Sequence, residues 1–282
     1  MNYCYIKESM LLPGRSVAIY YREIGQGIPL VFLHGGWGYE AYPFDEQVQK
    51  FAHQLRIFIP DRTGYGRSMR VTTLPKDFHR LAAREMIEFL DAMGIEQAIL
   101  WGHSDGAVIA TMMALLQPGR FLGLILEAFH YYRRKNESQK FFEIMAYNPE
   151  QLGEKVWRGL AREHGEDYWE TITKATGNAW LQLGRDSKDE NEDLYERQFS
   201  ELTTPSIFIF GSNDPRTETN EIDAVLQNLP HAAIHVIRNA RHSPHSETAA
   251  SSECNDLVDG FLRKLIATVK QKEKVKVSSV QA

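Results

Sequence analysis

The sequence predicts an α/β fold: an eight-stranded, mainly parallel sheet with helices on both faces and a helical insertion in the middle of the chain. Three observations carry this. Short apolar runs alternate with stretches of helical periodicity through residue 128, the alternation stops between residues 129 and 202, and it resumes at Ser206. Strands that alternate with helices are joined by crossovers, and crossovers cover both faces of a parallel sheet. A chain of 282 residues, 43% hydrophobic and 24% charged, suits one large domain carrying an insertion, with a core that needs no staples.

Residues 3–7 and 16–23 read as two strands that pair across the Pro13-Gly14 turn. The apolar run from Pro29 to His34 is a buried strand ending at Gly35-Gly36-Trp37-Gly38, a loop able to approach a ligand. A short helix over Phe44 to Ala52 and a strand over Arg56 to Pro60 follow. Phe78 to Met93 carries apolar residues at helical spacing and stops at Gly94. Ala98 to Trp101 is the next strand, Ala107 to Leu116 a buried helix, and Leu122 to Glu127 another strand. Beyond Ala128 no buried strand is evident, and the aromatic residues Phe141, Phe142, Trp157, Tyr168, Trp169 and Trp180 lie in charged helical stretches. A strand at Ser206 to Phe210, a helix from Asn220 to Gln227, a strand at Ala233 to Ile237 and a closing helix from Ala249 to Leu265 complete the pattern. Residues 1–128 and 203–267 are therefore expected to form the core, 129–202 a helical cap, and 268–282 a flexible tail with solvated lysines at positions 270, 272, 274 and 276.

Bulk properties exclude several functions. The net charge of −5 gives no electrostatic reason to bind nucleic acid. No apolar run approaches the ~20 residues of a membrane span, and Met1 to Glu8 lacks the layout of a secretory signal. Two cysteines, Cys4 and Cys254, fit a reduced, cytoplasmic protein. The expected partner is a small-molecule substrate, met by a monomer or homodimer without cofactor or metal.

Gly102-His103-Ser104-Asp105-Gly106 lies between a strand and a helix, the context in which G-x-S-x-G is a nucleophile elbow. A serine hydroxyl is a weak nucleophile that needs a base within hydrogen-bond reach, and the base needs an acid to orient it. Asp214 follows one late strand and His242 the next. In a parallel sheet, side chains beyond the carboxyl ends of strands converge, so Ser104, Asp214 and His242 form the candidate catalytic set. Glu127, which ends the strand after the elbow, is the alternative acid. His245 is the alternative histidine, read as a structural or pocket residue, and a metal site at His242 and His245 lacks a third clustered ligand. His103 and His34 read as packed residues, the latter bracing the Gly35–Gly36 loop.

These motifs together resemble the α/β-hydrolase superfamily. His34-Gly35-Gly36 resembles its oxyanion loop, Asp61 to Ser68 a D-x-R-G-x-G-x-S-like segment with Thr63 where arginine is usual, Gly102 to Gly106 its elbow, Gly211 to Asp214 its acid loop, and His242 to Glu247 its histidine loop. The Ser104-Asp105 pair and the helical insertion are most similar to biphenyl-hydrolase-like esterases, including the valacyclovir-hydrolase type. The resemblance implies acyl transfer, with the backbone N–H groups of Asp105 and Gly36 as the oxyanion hole and Trp37 as the alternative to Gly36. It also implies that the Asp105 carboxylate attracts a substrate ammonium; the competing role is a helix N-terminal carboxylate set against the dipole. Asp105, Trp37, Phe129 and His130 are candidate pocket residues, with Tyr131 and Tyr132 beside them. Cleavage of a small ester, thioester, lactone or amide is expected. A carbon–carbon bond hydrolase using the same triad and a non-catalytic ligand receptor on the same fold are the alternatives.

Overall fold

The computed structural model describes residues 2–280, with side chains through residue 271. Eight strands form one sheet: β1 (Asn2–Ile6), β2 (Val17–Ile24), β3 (Ile28–Leu33), β4 (Leu55–Pro60), β5 (Ala98–His103), β6 (Phe121–Glu127), β7 (Ser206–Gly211) and β8 (Ala233–Ile237). Their spatial order is β1-β2-β4-β3-β5-β6-β7-β8. β2 pairs antiparallel with both β1 and β4, and every other pairing is parallel.

Side-chain alternation along the strands divides the core in two. Leu30, Phe32, Ile99, Trp101, Ile207 and Ile209 face α1 (Asp45–Phe51) and α8 (Ser251–Val280). Val31, Leu33, Leu100, Leu124 and Phe208 face α2 (Phe78–Ala92), α3 (Asp105–Leu116) and α7 (Glu221–Asn228). Helices thus cover both faces, as the alternation of the sequence requires.

Between β6 and β7 the chain forms α4 (Gln139–Tyr147), α5 (Glu154–His164) and α6 (Trp169–Asp186). The end of α5 grips the loop after β3. His164 Nε2–H donates to the Trp37 carbonyl at 3.1 Å, and the Glu163 carboxylate accepts the Tyr39 and Glu40 N–H groups at 2.5 and 2.9 Å. The inserted helices are therefore anchored over the carboxyl ends of the parallel strands.

One boundary differs from the sequence expectation. α8 does not stop at Leu265 but continues to Val280, because residues 266–280 contain no glycine or proline and several good helix formers. The expected tail is helical from residue 268 to Val280 and Lys270 is exposed; the side chains of Lys272, Lys274 and Lys276 lie outside the described residues. Cys4 and Cys254 are both buried and free. Among the described residues, no helix is long and apolar enough to cross a membrane.

Candidate active site

β5 delivers Ser104 into a turn that few residues tolerate, at φ 55° and ψ −121°, before α3 begins. Such a conformation costs about 1–3 kcal/mol for a residue with a Cβ and persists only where its surroundings impose it. Here the Ser104 N–H donates to the Glu127 carbonyl at 2.9 Å, and its own carbonyl accepts from the Ala107 N–H at 2.8 Å. The flanking glycines are sterically required: a Cβ on Gly102 would strike the backbone of Gly106, and one on Gly106 would strike the Leu33 carbonyl.

The carboxyl ends of β7 and β8 carry Asp214 and His242. His242 Nδ1–H donates to both Asp214 oxygens at 2.9 Å. The Arg216 N–H and the Thr217 hydroxyl also donate to that carboxylate, at 2.9 and 3.0 Å. Burial works to raise Asp214, but its pairing with His242 holds it below the usual carboxylate range. Burial holds His242 well below its ordinary value, and the nearby Arg216 charge reinforces this against the pull of Asp214. Near neutral pH the ring therefore carries its proton on Nδ1, and its Nε2 lone pair is buried without a partner. His103 fixes the ring's backbone by donating from Nε2 to the His242 carbonyl at 2.9 Å.

The Ser104 hydroxyl does not bond to His242. Its partner is His130, whose Nε2 lies 3.3 Å from Oγ. Ala128, at φ 49°, turns the chain sharply after β6 and sends His130 toward the serine. The His130 ring lies nearly parallel to that of His242, with centroids 6.0 Å apart. Behind it the Lys135 ammonium donates to Nδ1 at 3.1 Å and to Glu221 at 2.7 Å, with all three side chains buried. Sequence reasoning named His130 only as a pocket candidate and missed Lys135 and Glu221.

The alternatives separate cleanly. Glu127 accepts from the His245 N–H (2.9 Å), His245 Nδ1 (2.8 Å) and Trp101 Nε1–H (3.2 Å). His245 also stacks on Phe44 at 4.0 Å. Both belong to a buried network, and neither side chain bonds to Ser104. His34 accepts the Arg62 N–H at Nε2, and the buried Arg62 guanidinium donates to the carbonyls of His34 and Gly35 at 3.2 and 3.0 Å. Phe129, expected in the pocket, does not reach it: the turn at Ala128 points successive side chains to opposite sides, and Phe129 packs among Tyr195, Phe199 and Phe208. Tyr131 lies with that aromatic group, bonded to Asn228 at 3.1 Å.

Above Ser104 lies a small cavity walled by Gly36, Trp37, His130, Phe142, Trp180 and His242. Asp105 also lines it. Its carboxylate takes no backbone N–H of the helix. Instead Oδ1 accepts from His79 Nε2–H at 3.1 Å and Trp180 Nε1–H at 3.0 Å, while Oδ2 is buried without a partner. A Cβ on Gly36 would come within 2.8 Å of that oxygen, so Gly36 and Asp105 form one wall. Burial works to raise the Asp105 carboxyl, but His79 and, beyond it, the charge of Arg62 hold it below the usual range. Arg216 also lines the cavity, its guanidinium 4.7 and 4.2 Å from the ring centres of Trp37 and Phe141.

Known proteins resemble this chain over most of its length. The alpha/beta hydrolase family model matches residues 30–252. The mouse serine hydrolase BPHL is 25% identical over 251 residues, covering 88% of this chain and 84% of that protein. The (E)-2-((N-methylformamido)methylene)succinate hydrolase of Acinetobacter baylyi is 23% identical over 84% of this chain and 91% of its own length. Among solved structures, a thermophilic esterase from Thermogutta terrifontis superposes with a TM-score of 0.69 at 18% identity, covering 94% of this chain and 99% of that one.

Proposed function

The chain belongs to the α/β hydrolase family, and from that premise we propose that it is a serine hydrolase cleaving a small ester, thioester, lactone or amide through an acyl-enzyme on Ser104. The observation that carries the reading is the unpartnered Nε2 of an Asp214-held His242 on the wall of the same small cavity as a conformationally strained Ser104. Rotation about the serine χ1 moves Oγ from His130 to His242, which takes its proton as the oxygen attacks the substrate carbonyl. Asp214 steadies the imidazolium, and His242 then protonates the leaving group. The N–H groups of Asp105 and Gly36 receive the oxyanion, each worth on the order of 10²–10³ in rate. The Trp37 N–H is the alternative to that of Gly36. Water enters with His242 acting again as base. A fluorophosphonate probe tests the reading: it is expected to label the wild-type protein and not Ser104→Ala, and an unlabelled wild type argues for a non-catalytic receptor.

The orphaned Asp105 Oδ2 supports a preference for acyl groups that carry an ammonium. A buried carboxylate oxygen without a donor is costly, and a substrate N–H₃⁺ removes that cost in the bound state. An aminoacyl ester is expected to be hydrolysed at least about 10-fold faster, in kcat/KM, than its des-amino twin. Asp105→Asn should abolish the difference. Equal rates in the wild type, or a preference that survives Asp105→Asn, would sink this assignment.

The depressed His242 sets a pH dependence. Catalysis needs the neutral ring, and a folded value below the ordinary imidazole range keeps it neutral further into acid. With an uncharged ester, kcat/KM should stay level as pH falls through 6.5 and decline only well beneath it. An acidic limb centred at 6.5 or above contradicts the burial argument.

A further inference from the structure

Outside the proposed triad, the most unusual assembly in the molecule is the buried row Ser104–His130–Lys135–Glu221. Each member's hydrogen-bonding capacity fixes the direction of the next. An ammonium has only donors, so Lys135 must donate to His130 Nδ1 at 3.1 Å and to Glu221 Oε1 at 2.7 Å. With Nδ1 occupied as an acceptor, the ring proton sits on Nε2, and that N–H points at Ser104 Oγ, 3.3 Å away. His130 therefore cannot serve as the base for Ser104; it is a donor to the oxygen that His242 deprotonates. The row is firmly held. Glu221 also accepts the Tyr131 and Glu218 N–H groups at 2.8 and 3.0 Å, and Tyr195 Oη–H donates to the His130 carbonyl at 2.7 Å. Burial works to raise Glu221, yet the Lys135 ammonium keeps it down at about 2.

The sheet order says what such a donor can reach. The loop carrying Gly36 follows β3, on one side of β5; His130 follows β6, on the other. His130 is thus placed on the other side of β5 from the Gly36 loop and against the Ser104 oxygen. Resting on the serine-hydrolase reading above, we infer that His130 is a further catalytic residue, a hydrogen-bond donor that stabilises Ser104 Oγ when it departs from the acyl-enzyme. In that step water adds to the acyl carbon and yields its proton to His242 Nε2. The carbon–Oγ bond then breaks, its electron pair passes to Oγ, and His242 returns the proton to that oxygen. His130 keeps its own proton throughout and lowers the energy of the charge developing on Oγ. Lys135 and Glu221 are positioning residues that hold the required tautomer.

A donor facing the departing oxygen accelerates deacylation selectively, because in acylation the same hydrogen bond ties up the attacking lone pair. With p-nitrophenyl acetate, rapid mixing reads acylation as the burst, and intact mass after removal of the ester reads decay of the acetyl-enzyme. His130→Leu is expected to slow that decay about 10- to 100-fold while the fluorophosphonate labelling rate is unchanged or rises. His130→Gln, whose amide N–H reaches the position of Nε2, should restore most of the decay rate; His130→Asn, whose amide falls near Nδ1, should not. The Gln–Asn contrast serves even if the Leu variant fails to fold. Decay equal in Gln and Asn variants, or acylation and decay slowed alike, overturns the role of His130. A wild-type protein that neither labels nor forms an acetyl-enzyme overturns the serine-hydrolase reading instead.

Discussion

Ser104→Ala is expected to lower kcat for an activated ester by on the order of 10⁵–10⁶-fold, the loss that follows removal of a nucleophile from an intact triad. What remains should be the modest acceleration supplied by oxyanion donors and substrate binding. The fold should be untouched, because alanine keeps the Cβ already accommodated at φ 55°. Ser104→Gly extends the prediction: it should be equally inactive, yet about 1 kcal/mol more stable than Ser104→Ala, since glycine relieves the strained backbone. Steady-state kinetics with thermal melts of both variants check the pair of outcomes. A variant that retains more than about a hundredth of wild-type kcat removes Ser104 from the chemistry.

Asp214→Asn is expected to cost about 10⁴ in kcat with little change in fold. The carboxylate receives His242 Nδ1–H through both oxygens at 2.9 Å, which places the ring's lone pair on Nε2. An asparagine amide turned toward Nδ1 favours the opposite tautomer, with a proton on Nε2 and no base facing Ser104. Glu127→Gln should behave in reverse. Its carboxylate holds His245 and Trp101 with no solvent contact, and breaking such a buried pair costs stability on the order of 3–5 kcal/mol. Its kcat, once folded, should stay within about 10-fold of wild type. If Glu127→Gln instead loses about 10⁴ in kcat while Asp214→Asn does not, Glu127 is the acid.

Much of this was legible in the residues. Strand ends are marked by apolar runs, so the positions of Ser104, Asp214 and His242 beyond parallel strands could be read from spacing alone. The glycines at 102 and 106 stand where side chains would collide with backbone. The relay behind His130 was not legible, for a physical reason. Lys135 lies in a charged segment where lysines are ordinarily solvated, and its partner Glu221 is 86 positions away; only folding makes that pair buried. Phe129 and His130 illustrate the same limit at short range. The positive φ at Ala128 decides which of the two faces the serine, and nothing in a Phe-His pair announces it. Asp105 was ambiguous because a helix-opening carboxylate and a substrate-facing one have the same sequence. The unpartnered Oδ2 supports the substrate-facing role proposed above.

The account turns on a covalent intermediate at one oxygen. Quenching the protein in acid during turnover of p-nitrophenyl acetate, then digesting it and mapping the modified peptide by mass spectrometry, tests this most directly. The expected result is a single acetyl group on the peptide containing Ser104, more abundant in His130→Leu than in the wild type. Turnover without an adduct in either protein, or an adduct only on another residue, would contradict it.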